Sequence, residues 1–218
     1  RLHIRGKDGN GGMKWDNPPS MPGIPERESN MRAPSTACSG EYLLAVEKPS
    51  RYTGGEVNAV RKDPQALRLR FVLAFPDTYE VGMSHLGLQI LYAILNERPE
   101  ISCERCYAPW PDMEEELRRR RLHLCSLESR RPLHVFDVIG FSLQYELSYT
   151  NVLMMLELGA IPLRREARDE THPLIIAGGP CAFNPAPMSA FIDAFVIGEG
   201  EEAITEIADA VISVRSRG

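Results

Sequence analysis

The sequence lacks any apolar run close to the roughly 18 residues of a membrane-spanning helix, and it has no apolar stretch near the N-terminus resembling a signal peptide. It also lacks an excess of positive charge, because the net charge is −5 and no basic stripe stands out. These absences argue against a membrane protein and against a nucleic-acid partner. We therefore expect a cytoplasmic protein.

Cysteine is scarce, and its five positions are odd in number and irregular in spacing, which argues against a disulfide framework. Cys103 and Cys106 form one C-x-x-C, but a closed tetrahedral metal site needs two further ligands and no second pair exists. The pair also lies in a predicted strand, where residues three apart point to opposite faces. The sequence therefore predicts ordinary thiols and no metal ligands.

The chain divides by composition into three parts. Residues 1–40 hold 5 proline and 6 glycine residues without a hydrophobic period, and this predicts a disordered lead-in. Residues 41–66 read as an N-terminal extension, in which "KPSRYTGGE" (48–56) is expected to pack on a neighbouring domain. Residues 67–218 read as one α/β domain.

Strand and helix patterns alternate through that domain with short links. Buried strands are predicted at 67–75, 101–108, 136–143, 173–179 and 193–198. Helices are predicted after an N-cap at Ser84, after Pro111, over 147–158 and over 199–214. The alternation predicts a doubly wound parallel sheet of the Rossmann-like or flavodoxin-like kind.

Ligands of such sheets bind beyond the carboxyl ends of the strands. The loops at that edge offer six polar side chains, namely Asp77, Tyr79, Ser142, Gln144, Tyr145 and Asn184. A dinucleotide is the first candidate, since "GEGEEA" (198–203) fits G-x-G-x-x-[GA]. Its three glutamates would repel a pyrophosphate at the helix N-terminus, however. No Walker-type phosphate loop, G-x-S-x-G elbow or H-E-x-x-H is present.

A large flat cofactor remains, and here three short motifs become informative. Cobalamin-binding doubly wound domains carry D-x-H-x-x-G after the first strand, S-x-L after a middle strand and Gly-Gly after a later one. This sequence resembles that set in order and position, with Asp77–Gly82, Ser142-Leu143 and Gly178-Gly179. Tyr79 stands where the family has the histidine that binds cobalt, so the resemblance implies a cobalt without that ligand.

The stretch from Lys48 to Ala210 resembles the N-terminal part of the cobalamin-binding radical S-adenosylmethionine proteins, in particular an uncharacterised subfamily. The matching segments include "FPDTYEVGMSHLGLQILYAILN" (75–96), "FDVIGFSLQYELSYTNVLMMLELGAIPL" (136–163) and "IIAGGPCAFNPAPM" (175–188). The resemblance implies a downstream radical domain in the same polypeptide. That domain would hold a 4Fe–4S cluster through C-x-x-x-C-x-x-C and would bind S-adenosylmethionine. The present chain has no such cysteine motif, so by itself it lacks the catalytic centre.

The resemblance also implies the cofactor contacts. The residues expected to hold cobalamin are Asp77, Thr78, Tyr79, Glu80, Val81, Gly82, Ser142, Leu143, Gln144, Gly178, Gly179 and Pro180. No catalytic residue and no metal ligand is assigned. Two other functions stay open: a vestigial domain that covers the radical site or receives substrate without a cofactor, and a flavodoxin-like module for a flavin or nucleotide.

Overall fold

The computed structural model describes residues 40–215, and the predicted disordered lead-in lies outside the described residues apart from Gly40. The five strands are β1 (Leu69–Phe75), β2 (Ile101–Tyr107), β3 (Val138–Ser142), β4 (Leu174–Gly178) and β5 (Ala194–Phe195). The α-helices are α1 (Tyr79–Met83), α2 (Leu86–Glu97), α3 (Pro111–Arg120), α4 (Tyr149–Leu158) and α5 (Gly200–Arg215). Short 3₁₀ turns fill several of the links.

All five strands pair in parallel, in the spatial order β2-β1-β3-β4-β5. This is the doubly wound order of flavodoxin-like folds, and its topological switch point lies between β1 and β3. The predicted parallel α/β sheet is therefore confirmed.

The sheet has a separate apolar layer on each face, because alternate residues of each strand point to opposite sides. On one face Phe71 and Ile176 pack with Leu88 of α2 and Ile207 of α5. On the other face Val72, Ile139 and Ala177 pack with Met113 of α3 and Met155 of α4. The helices thus cover both faces of the sheet, and its carboxyl edge is left to the loops.

Several element boundaries differ from the sequence prediction. The N-cap of α2 is His85, whose ring accepts a hydrogen bond from the N–H of Leu88 at 3.1 Å, and Ser84 instead ends α1. The predicted strand at 193–198 is reduced to Ala194–Phe195. Among the described residues no helix is both long enough and apolar enough to cross a bilayer.

The helix α3 carries a row of ion pairs on its surface. Glu114 pairs with Arg118 at 3.0 Å, and Glu116 pairs with Arg120 at 2.7 Å. Arg119 also pairs with Glu116, three residues before it. Exposed pairs of this kind contribute little stability, so the arginine run is a solvated helix face.

Candidate functional site

A cavity of about 190 Å³ lies at the carboxyl edge of the sheet, between α2 and α5. Six of its lining residues are glycines, and we call it the glycine cavity: Gly87, Gly140, Gly178, Gly179, Gly198 and Gly200. Apolar side chains and a few polar ones complete the wall, the polar ones being His85, Ser142, Gln144 and Glu201. A largely apolar pocket with few polar groups is the usual form of a small-molecule site.

The cavity exists because side chains are missing from the sheet beneath it. Gly140 and Gly178 lie on β3 and β4, on the face that carries α2 and α5. A Cβ at Gly178 would meet Val196 at 3.7 Å, which is ordinary contact, so the space above this residue is open. A Cβ at Gly140 would come within 3.1 Å of the Phe71 ring. Any larger residue at these positions would begin to fill the cavity.

Four of the predicted cofactor residues line this cavity: Gly178 and Gly179, and the polar residues Ser142 and Gln144. The amide of Gln144 donates to the hydroxyl of Ser142 at 2.8 Å, which fixes both side chains at the rim. The neighbouring Leu143 points into the opposite apolar layer, while its backbone N–H donates to the carbonyl of Gly178 at 2.7 Å. Pro180 begins a 3₁₀ turn directly after Gly179. The predicted Ser142-Leu143 and Gly178-Gly179 motifs are thus brought together, although the chain has Ser-Leu-Gln where the family has S-x-L.

Asp77, the first residue of the predicted D-x-Y-x-x-G motif, links two loops by hydrogen bonds and does not line the glycine cavity. Asp77 accepts from the backbone N–H of Thr78 at 2.7 Å and from the hydroxyl of Tyr145 at 2.8 Å. The second bond raises the pKa of Tyr145 and ties the loop after β1 to the loop after β3. Asp77 therefore braces the two loops that flank the switch point.

Tyr79 is turned toward the N-terminal extension and is absent from the wall of the glycine cavity. Its hydroxyl donates to Glu56 at 3.1 Å, and its ring packs edge-on against Tyr107 with centroids 5.6 Å apart. Burial, and then the Glu56 carboxylate, raise the pKa of Tyr79. Its phenol is therefore neutral at physiological pH and already engaged.

Basic residues of the same extension also interact with Glu80. Arg51 binds this carboxylate at 2.8 Å and Lys48 lies at 3.7 Å, and the hydrogen bond from Arg51 lowers the pKa of Glu80. The guanidinium of Arg51 also stacks over the ring of Trp110, 4.7 Å from its centroid. The segment 48–56 therefore packs on α1 and on the loop after β2. Its packing on a neighbouring domain stays a prediction.

The remaining residues of the first motif, Thr78, Val81 and Gly82, do not line the glycine cavity either. Gly82 lies against a tyrosine, since a Cβ there would come within 2.3 Å of the Tyr107 ring. Val81 is exposed, and Thr78 occupies the N-cap of α1 without a capping bond from its side chain. Within the D-x-Y-x-x-G motif, Tyr79 and Glu80 therefore contact the extension, and Thr78 and Gly82 serve the local turn. Asp77 instead bonds to the loop after β3.

The two cysteines of the C-x-x-C point to opposite faces of β2, as the strand pattern predicted. Cys103 and Cys106 are both buried, and they belong to the apolar layers on opposite faces of the sheet. Within residues 40–215 no group of three or more His, Cys, Asp or Glu side chains is placed to hold a metal ion.

Cobalamin would have to meet two tests at this site. The first is space for the nucleotide tail, and the glycine cavity at about 190 Å³ compares with the 150 Å³ that admits benzene in an engineered protein. The second is a side chain that can bind the cobalt from below. Tyr79 does not meet this requirement, because its hydroxyl is hydrogen-bonded to Glu56. The cavity fits a flat ring, whereas the lower-ligand position does not fit the metal.

The fold and its cleft define a doubly wound α/β domain with a ligand-sized cavity at the carboxyl edge. Residues 87–218 match the family described as radical SAM proteins, N-terminal, and the chain belongs to that family. It is also 25% identical over 130 residues to the uncharacterized protein MJ0966 of Methanocaldococcus jannaschii. The aligned stretch covers 59% of this chain but only 23% of that relative, so the chain spans about a quarter of its length. No solved structure matches.

The position of Tyr79 can be tested by Tyr79→Phe. Removing the hydroxyl breaks the bond to the Glu56 carboxylate, so we expect a loss of about 1.5–3 kcal/mol in the free energy of unfolding. Urea denaturation would measure it, with Tyr145→Phe as the matched loss of a hydroxyl at the rim. An unchanged free energy of unfolding in Tyr79→Phe would contradict this placement of the hydroxyl.

Proposed function

We propose that this chain is the N-terminal accessory domain of a radical S-adenosylmethionine iron–sulfur enzyme, and that its glycine cavity receives the nucleotide tail of cobalamin. The observation that carries the proposal is the coincidence of Gly140, Ser142, Gly178 and Gly179 around one cavity at the carboxyl edge. Two of the three cofactor motifs meet there, which sequence order alone does not require.

The domain's own residues would do two things in this function. The glycines on β3 and β4 would leave the depth that a flat base needs, and Ser142 and Gln144 would offer hydroxyl and amide groups to its polar edge. When bound, cobalamin supplies a cobalt centre able to carry a methyl group. With Tyr79 engaged by Glu56, this chain would hold the cofactor by its tail and give the cobalt no side-chain ligand from that position.

A second function is favoured by a different observation. The loops at the carboxyl edge expose large apolar side chains, namely Trp110, Tyr145, Leu147 and Phe183. A rim of this kind suits contact with another domain. In this second function the chain would cover the radical domain or admit its substrate without a cofactor.

Gel filtration with hydroxocobalamin separates the two functions. We expect the full 218-residue chain to elute with visible cobalamin absorbance. Gly178→Leu should weaken retention about tenfold or more, because the new side chain fills the cavity that the ring needs. Ala93→Leu places a leucine side chain at an exposed site on α2 and should leave retention unchanged.

A colourless wild-type peak would contradict cofactor binding and leave the covering function. The same assay with flavin mononucleotide tests the flavodoxin-like alternative. We expect no retention there, because Asp77 in the loop after β1 and Glu80 in the first turn of α1 place two carboxylates where a flavin phosphate would have to bind.

A further inference from the structure

A second cavity, of about 480 Å³, lies at the opposite end of the sheet from the glycine cavity. Its strand residues include Arg70 and Ser102, each the second residue of its strand, so it opens at the amino ends of β1 and β2. The extension at 60–64 and the loop at 128–131 form its other walls. We call it the basic cavity, after its cationic side chains Arg61, Lys62, Arg70, Arg130 and Arg131.

The charge of this cavity contrasts with that of the protein. Among residues 40–215, five cationic side chains face two carboxylates, Glu104 and Glu128, at this cavity. The net charge of the whole chain is −5. A cavity with one dominant sign of charge concentrates ions of the opposite sign. The ligand it favours is an anion.

Both carboxylates are already committed to groups of the protein. Glu128 accepts from the backbone N–H and from Nε of Arg105, each at 2.7 Å. Glu104 accepts from the backbone N–H and the hydroxyl of Ser129, at 3.1 and 2.7 Å. Neither carboxylate forms an ion pair with a cation of the cavity.

Two of the five cations are likewise occupied. Lys62 donates to the carbonyls of Asn96 and Arg98 at 2.8 and 2.6 Å. Arg130 donates to the carbonyl of Thr53 at 2.7 Å. These hydrogen bonds hold the walls of the cavity in place, and they leave Lys62 and Arg130 with fewer N–H groups for a ligand.

The other three cations have no such role. Within residues 40–215, the side chains of Arg61, Arg70 and Arg131 form no hydrogen bond and no ion pair with the protein, and the Nε of Arg70 is buried without an acceptor. A buried donor without a partner costs free energy, and in native structures such a donor calls for a bound water or ligand. Guanidinium groups suit phosphate because their N–H groups form two parallel bonds to its oxygens.

We propose that the basic cavity is a binding site for the phosphate group of a small molecule, with Arg61, Arg70 and Arg131 as its ligands. The volume favours a phosphate ester over a bare ion, since small-molecule pockets usually measure about 300–1,000 Å³. This site is independent of the cofactor proposal, because it lies at the other end of the sheet.

Isothermal titration of the full chain tests the proposal with three probes: ribose 5-phosphate, orthophosphate and ribose. We expect saturable binding of both phosphates and none of ribose, with ribose 5-phosphate tighter if an ester is the natural ligand. Arg61→Gln and Arg131→Gln should each weaken phosphate binding about tenfold or more, the effect of losing a charge-assisted hydrogen bond.

The matched control is Arg165→Gln, which removes one positive charge from an exposed turn outside the cavity and should leave the affinity unchanged. Thermal melting verifies that each variant is folded before titration. Absence of saturable phosphate binding by the wild-type chain would overturn the proposal. Equal weakening by all three variants would overturn it as well, because it would show a non-specific charge effect.

Discussion

Replacing Arg105 with methionine is expected to lower the free energy of unfolding by about 3–5 kcal/mol, the usual cost of breaking a buried ion pair on one side. The side chain of Arg105 is 0% exposed and that of Glu128 is 1% exposed, and Nε meets the carboxylate at 2.7 Å. The guanidinium also stacks over Tyr92, 4.2 Å from the ring centroid, and donates to Asn58 of the extension. Methionine would leave Glu128 charged, buried and unpaired, and would loosen the extension.

Urea denaturation followed by circular dichroism would measure this loss. Arg98→Met is the matched control, because Arg98 pairs with Glu100 and Asp209 while 30% of its side chain is exposed. Exposed pairs contribute about 0–1 kcal/mol. If the two variants cost the same, the buried pair does not have the role described. The double variant Arg105→Met/Glu128→Met should recover most of the loss, since no buried charge then remains.

The loss should also depend on pH in a defined direction. Burial raises the pKa of Glu128 above its ordinary value of 4.5, and Arg105 partly offsets the shift. Without Arg105 the pKa rises further, so the folded state binds a proton more tightly than the unfolded chain does. The contribution of Glu128 to the variant's stability is then most favourable below pH 4.5 and falls as the pH rises from there through the folded pKa. Denaturation at acidic and neutral pH should therefore show a smaller loss in acid.

Arg105 shows what the sequence could not reveal about the fold. The apolar runs and turn residues predicted the parallel sheet because those signals are local, and "LRLRFVLAF" led directly to β1. The strand "ISCERCY" carries Glu104 and Arg105 side by side, a pattern typical of an exposed edge. Arg105 is buried because Glu128 and Asn58, which are 23 and 47 residues away in sequence, cover it. No local sequence pattern indicates these partners.

The residues of the glycine cavity were predictable only in part, because some of their signals are local in sequence and others are not. The motifs identified Ser142, Gln144, Gly178 and Gly179, since strand order places their loops at one edge of the sheet. Gly140 was missed, although its position two residues before Ser142 on one strand was a usable signal. The direction of Tyr79 could not be read from its motif. It depends on Glu56, which lies in an extension whose path the sequence pattern does not specify.

The two glycines after β4 should respond very differently to alanine. Gly179 has φ 101° and ψ 179°, a region open almost only to glycine, and a Cβ there would lie 2.7 Å from the carbonyl oxygen of Leu143. That carbonyl accepts from the N–H of Cys181, and the N–H of Leu143 donates to Gly178, so the backbone cannot easily move aside. We expect Gly179→Ala to lower the free energy of unfolding by about 2–4 kcal/mol.

Gly178→Ala is the matched control, one residue earlier in the same motif. Its Cβ would make only ordinary contact with Val196 at 3.7 Å, and alanine restricts the unfolded chain more than glycine does. We therefore expect a change within about 1 kcal/mol, measured for both variants by urea denaturation. Similar losses at both positions would refute this division. If the expected difference is found, Gly179 is needed for the backbone conformation after β4. Gly178 is not needed for the backbone, and its lack of a side chain leaves space for a ligand.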